Sequence, residues 1–541
     1  MKTITLICCI VLIFPTVFGQ KKGFNVVYEE KIVGKNYVND SDIKGEEILF
    51  PNIIHNVFPD SALHYLTFQL KGRKKSGTIL QYDLMNKKVL WTKAIDYETS
   101  ELLKFDKLLI LNEYNEAYVI DEHTGDNLSK ALNYIYLANP EYNIGMAYLY
   151  IAAGDGHYTN DFMGIDVMAN KLIWKRNINR GYGWNDFFYL NDSTLLVVAS
   201  GLHAINVKNG TGWDYHAITG ENINYHDAGA VVASVLFGII GGVFVGIIGG
   251  MVAGSFAGYH TRGYYYISIY YPATATGEEI IHDVVSNTLI DSAFIYFAGR
   301  EEMVKIDKYS GEVVWKYPFP NNLTSTSSIF MDDSVVYMIN KGFAFKCNRQ
   351  VHYGKPFIAA FNKQTGKQKY LSILNKNNDP VIDFKKRDNK IYLLFQHHIA
   401  QYNLETGTQI LEKKLPLKAD HNLVSFVGNE TFIFNKDGYL LNLVQNDSTK
   451  IYVNTTQTQI LSLDHQCNIT NTMETNDTGL SFLRYNDYQF IAKGEKTFII
   501  NNNGKLIAET AISTNAFIMD NILYDKREKS LIAIDLKHAL P

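Results

Sequence analysis

Cysteine is nearly absent: the chain of 541 residues contains 4, and two of them, Cys8 and Cys9, stand among the first ten positions. No Cys-x-x-Cys-His run exists, which excludes covalent haem attachment. Proline is sparse at 11 residues, and no Pro-rich linker divides the chain. Neither sign of charge dominates. Lys+Arg 51 against Asp+Glu 55 leaves a net charge of -4 with no basic stripe, so a nucleic acid is not an expected partner. Aromatic residues are plentiful instead. Tyr 36, Phe 30 and a hydrophobic content of 46% describe a β-rich chain with ample material for a core.

The N-terminus reads as an export signal over residues 1–19. Met1-Lys2 precedes the apolar run Ile4 to Phe14, and Gly19 offers the small residue at the cut before Gln20. Localisation is therefore expected in the periplasm or cell envelope. Leu6-Ile7-Cys8 lacks the small residue that a lipidated cysteine needs in front of it. Removing the signal leaves Cys347 and Cys467, either as one disulfide or as two buried thiols.

One turn signature recurs down the rest of the chain: an apolar strand, Asp or Asn, a short turn often containing Gly, and a second strand that sometimes carries Trp. Asp83 to Trp91, Asp166 to Trp174 and Asp307 to Trp315 share one spacing, with Gly311 in the third turn replaced by Lys87 and Asn170 in the other two. Further copies begin at Asp121, Asn362 and Asn403, and weaker ones at Asn206, Asn442, Asn501 and Asp535. The acid or amide caps the turn, Gly supplies positive φ, and the ring packs between adjacent sheets. Two more apolar runs precede each turn, as Leu102 to Phe105 and Leu108 to Leu111 precede Tyr118 to Ile120. Four short strands per unit, repeated radially, make an all-β fold: a single closed β-propeller over residues 20–541, with eight to ten blades.

The motif resembles the quinoprotein-like (PQQ-like) propeller repeat family, whose blades carry Ala-x-Asp-x-x-Thr-Gly-Lys-x-x-Trp and which includes quinone-dependent dehydrogenases and the propeller subunit of the outer-membrane β-barrel assembly machinery. The resemblance covers nearly the whole mature chain but concerns blade packing rather than reaction. The family's dehydrogenases would imply PQQ, Ca²⁺, a general-base Asp and often a vicinal disulfide. The only adjacent cysteines here lie in the signal, and no family catalytic residue maps onto a position of this chain. No catalytic residue, metal ligand or cofactor is expected.

The last unit stops at Asp535-Leu536 without an outer strand, so its edge needs a cover. Asn25 to Ile32 resembles the orphan strand and is expected to supply it. Strand counting places the second-to-third loops and the blade connections on one face, opposite the Asp-x-x-Gly turns. The long insertions fall on that loop face: Gly154 to Asn160, Lys341 to Lys355, and the excursion from Gly220 to about Asp283.

Within the excursion, residues 228–258 carry no charge, and Gly238, Gly242, Gly246, Gly250, Gly254 and Gly258 recur every four positions. Such spacing lets helices approach closely in lipid. A straight helix over this run would be roughly 46 Å long, beyond a hydrocarbon core of ~30 Å, and would place successive blades on opposite sides of a membrane. The expected form is a Gly-rich, apolar, helical insertion that is re-entrant or hairpin-like, either touching a membrane or packing within the protein or an oligomer. Gly263 to Tyr271 follows as an aromatic strand.

His397-His398, His157 and His352 sit on loops of that face, as do Gly154-Asp155-Gly156 and the basic Arg73-Lys74-Lys75, but none has ligand spacing. The expectation is thus a non-catalytic, extracytoplasmic scaffold that binds a protein or polymer partner. The competing expectation is an oxidoreductase or other propeller enzyme using the central channel.

Overall fold

The computed structural model describes residues 26–541 apart from 132, 152–156, 180–181, 183–185, 223–279, 347–348, 375–378, 417–423, 427–430, 436–439, 444–449 and 456–458. The expected export signal, residues 1–19, and Gly238, Gly242, Gly246, Gly250, Gly254 and Gly258 therefore lie outside the described residues. The described chain is all-β except for two single-turn helices, Thr475–Asp477 and Leu536–Ala539. Its strands form nine four-stranded sheets and one eleven-stranded sheet, every pair antiparallel.

Eight of the small sheets follow one another along the sequence: sheet 1 (residues 53–96), sheet 2 (100–131), sheet 3 (137–177), sheet 4 (186–216), sheet 5 (289–318), sheet 6 (327–373), sheet 7 (383–414) and sheet 8 (424–474). The eleven-stranded sheet holds two more such units. Sheet 9 is residues 478–510, and sheet 10 is residues 517–535 completed by Ser41–Leu49. The described strands thus make ten four-stranded units, and nine of the ten turn signatures fall on them.

The burial pattern explains why these segments are strands. Second strands such as Val335–Asn340 are buried on both faces and read as unbroken apolar runs, whereas outer strands such as Lys171–Asn177 keep Trp174 buried among exposed neighbours. Hydrophobic clusters then join each sheet to the next. Trp91 and Ile79 meet Leu102 and Leu109 across sheets 1 and 2, and Leu202 and Ala204 meet Phe297 and Val304 across sheets 4 and 5. The series returns to its start, because Met519, Tyr524 and Leu531 of sheet 10 pack on Leu66, Phe68 and Leu80 of sheet 1.

A second device fastens six successive seams. In each, the outer strand of one sheet donates a hydrogen bond to the carbonyl of the residue that follows the capping Asp or Asn in the next sheet. Trp91 reaches Glu122 at 2.8 Å, Trp174 reaches Val207 at 2.6 Å, Trp213 reaches Lys308 at 3.2 Å and Trp315 reaches Lys363 at 3.1 Å. Tyr370 reaches Leu404 at 2.7 Å, and Ser129 reaches Val167. In five of the six the N–H of that same residue bonds to the first turn of its own sheet, as Lys363 does to Ser334 and Leu404 to Asn389.

The turn glycines follow from the rings. Gly366 has φ +71°, and a Cβ there would stand 2.5 Å from the Trp315 ring, so no other residue fits. Where the incoming group is the small Ser129, no ring presses on the turn, and Asn170 holds the same position at φ 49°. Asp83, Asp166 and Asp307 are turn caps: each carboxylate accepts backbone N–H groups of its own turn.

Two sequence expectations need correction. Sheet 10 is closed by Ser41–Leu49, with Glu46 opposite Ala533 and Leu49 opposite Ser530, and not by Asn25 to Ile32. The strand Val27–Asn36 lies outside it as a hairpin partner and bridges to sheet 9 by pairing Gly34 with Thr510. The eighth turn is at Asp464, whose carboxylate accepts from Gln466 and Asn468. Asn442 belongs instead to a hairpin, Thr431–Phe434 with Leu440–Leu443, that extends sheet 9. Cys467, in the Asp464 turn, is a free buried thiol that burial pushes up to about 12, while Cys347 lies outside the described residues.

Candidate functional site

Two of the predicted insertions meet on the loop face. Glu221–Asn222 and Ile280–His282, the strands on either side of residues 223–279, pair with each other and then with the hairpin Phe343–Lys346 and Arg349–His352. The result is an extra four-stranded sheet. Glu221 stands opposite Ile281 and Asn222 opposite Ile280, so the excursion leaves and re-enters the fold at neighbouring backbone positions.

This sheet is fixed to the body. Ile281, Val284 and Ala344 form a small buried core against Val351 and Tyr353. Backbone bonds run from Val284 to Thr219 at 3.0 Å and from Thr326 to Phe343 at 2.8 Å. At the neck, the Glu221 carboxylate takes the Tyr353 hydroxyl at 2.5 Å and faces the Arg300 guanidinium at 2.9 Å. Burial first, and then the Glu221 bond, raise the Tyr353 pKa, so the phenol stays protonated and donates. The opposite face of the sheet is half-buried and aromatic. His282 lies nearly parallel to Phe345 with ring centres 6.1 Å apart, Phe343 meets Phe345 edge-on, and His282 Nδ1 is 2.9 Å from Asp283 Oδ2.

The other predicted candidates do not converge. His398 is buried, stacked on Phe395 with ring centres 4.2 Å apart, and its pKa is lowered by burial despite Glu412 at 3.9 Å. Gly154 to Gly156 and the side chain of His157 lie outside the described residues. Among the described residues, no three His, Cys, Asp or Glu side chains are placed to hold a metal ion, and no helix is long and apolar enough to cross a membrane. Sequence reasoning missed the extra sheet because its strands are two to four residues long and come from distant segments. It also missed Trp213, which lies seven rather than eight positions after its cap at Asn206.

No family model matches the sequence, and no curated protein sequence matches it. Among solved structures, the chain is similar to BamB from Moraxella catarrhalis, at 10% identity over 86% of this chain and 98% of that one, with a TM-score of 0.31. It is likewise similar to the C-terminal WD40 domain of Sif2, at 9% identity over 81% of this chain and 97% of that one (TM-score 0.29). A third similar structure is apo AztD from Citrobacter koseri, at 8% identity over 83% and 95% of the two chains (TM-score 0.27).

Proposed function

We propose that this chain is an exported, non-catalytic scaffold: a closed ten-bladed propeller that binds a protein or envelope polymer on its loop face and uses residues 228–258 to dock against a membrane or against partner helices. The observation that carries this reading is the pairing of Glu221 with Ile281, which fixes the strands that flank the glycine-rich segment side by side on that face. A segment so anchored reaches a membrane or partner without pulling the sheets apart. Closure of the ring is supported by the packing of sheet 10 on sheet 1 and by the chain's two ends sharing one sheet. The reading includes no quinone, Ca²⁺ or other cofactor.

Because Asn222 and Ile280 are paired neighbours, residues 228–258 should be replaceable by a short flexible linker with the sheets intact. The shortened protein should keep its thermal midpoint but lose co-fractionation with envelope membranes or its oligomeric size. Gly246→Leu with Gly250→Leu should do the same by filling the contact row. Unchanged fractionation and unchanged size in both variants would remove the docking role.

A further inference from the structure

Between sheets 5 and 6, on the face of the turns and away from the extra sheet, lies a cavity of about 440 Å³. Three turns and one strand build it. Asp291 and Phe294 come from the first turn of sheet 5, Asp333 from the first turn of sheet 6, Asn362 and Lys363 from its last turn, and Lys305 from the third strand of sheet 5. The volume lies within the range of small-ligand sites, ~300–1,000 Å³.

Its floor is rich in donors. The Lys305 side chain is buried with 6% exposure, yet its ammonium makes one long bond, 3.3 Å to the Lys363 carbonyl, and enters no ion pair among the described residues. The Phe294 ring centre is 3.9 Å from its Nζ. The Lys363 ammonium is 3.5 Å from Asp291 Oδ2 and 5.8 Å from the Tyr296 ring centre, and Lys363 lines the cavity. Asp291 is already engaged: one oxygen accepts the Ala293 and Phe294 N–H groups, and the other accepts the Tyr296 hydroxyl. Asp333 stands exposed at the rim. Burial, and then the neighbouring Lys363 charge, lower the Lys305 pKa against the pull of Asp291. Lys305 thus has no carboxylate partner, Lys363 shares one that already accepts three other bonds, and both ammonium groups keep spare protons beside the cavity.

We propose that this cavity binds a small oxyanion-bearing ligand, a carboxylate or a phosphate, whose oxygens take N–H groups from both Lys305 and Lys363. The site is independent of the loop face and of docking by residues 228–258.

The test is calorimetric titration of the full-length protein with inorganic phosphate in one arm and D-glucuronate in the other, repeated in two buffers of different ionisation enthalpy at alkaline pH. One arm or both should saturate with a single site. The ligand charge should raise the Lys305 pKa, so binding should take up protons. Lys363→Gln and Lys305→Gln should each weaken binding at least tenfold, and Lys305→Gln should abolish the proton uptake, whereas Lys367→Gln, at an exposed lysine on the same turn, should change little. If Lys305→Gln does not fold, Lys363→Gln alone carries the comparison. No saturation in either arm, or equal weakening by Lys367→Gln, overturns the proposal.

Discussion

Trp315→Ala should lower the unfolding free energy by about 3 to 5 kcal/mol, the range for removing a large buried aromatic side chain. Trp315 is 8% exposed and packs with Tyr296, Met338 and Phe361 in the cluster between sheets 5 and 6. Its ring also lies against Gly366, and its indole N–H reaches the Lys363 carbonyl at 3.1 Å. Alanine therefore leaves a cavity, removes one hydrogen bond and leaves Gly366 at φ +71° with nothing to pack on it. The change crosses a seam rather than lying within one sheet, so it should loosen two units together. Urea unfolding followed by far-ultraviolet dichroism gives the number. A loss below about 1 kcal/mol would place Trp315 with ordinary surface substitutions and remove the seam argument.

A chain that begins at residue 50 should be far less stable than one that begins at residue 38. The longer chain keeps Ser41–Leu49 on Ser530–Asp535, with Ile43 and Ile48 buried and the Ser530 hydroxyl 2.7 Å from Glu47 Oε1. The shorter one uncovers the whole edge of Ser530–Asp535, in which Leu531 and Ile532 have no exposed surface. Losing two buried isoleucines alone costs about 4 kcal/mol or more. Beginning at residue 38 removes Val27–Asn36, whose pattern is mostly exposed and whose buried members are Val33 and Asn36. That loss should be measurable but smaller. Equal midpoints for the two chains would mean that the closing strand contributes nothing.

Much of this architecture was legible in the sequence because it depends on local chemistry. Asp307 and Asn362 cap their turns through their own side chains, and Gly311 and Gly366 take positive φ, so each unit announces itself within six residues. The eighth unit was misread because its turn has neither Gly nor Trp. Cys467 takes the positive φ there at 58°, while Leu441-Asn442 imitates the pattern from a hairpin. Tyr370 does the work of a tryptophan but was hidden among 36 tyrosines. The closing strand was placed one strand too early. Val27–Asn36 and Ser41–Leu49 pair with each other, and only a contact with the far end of the chain decides which of them is inner. The candidate site was legible as loops but not as a sheet. The turn-face cavity, built from three separate turns, left no sequence signal at all.

The pairing of Glu46 with Ala533 also sets a timetable. A ribosome adding about 5–20 residues per second makes the closing strand first and its partner some 25 to 100 s later. Throughout that interval the hairpin of Val27–Asn36 and Ser41–Leu49 has only itself to pair with, and an isolated two-stranded hairpin is marginal in water. Asp42, Lys44, Glu46 and Glu47 place charges along the waiting strand, the usual guard against pairing with a stranger. A newborn chain is therefore most exposed to misassembly at its beginning, and any chaperone that attends its maturation has its first task within residues 27–49.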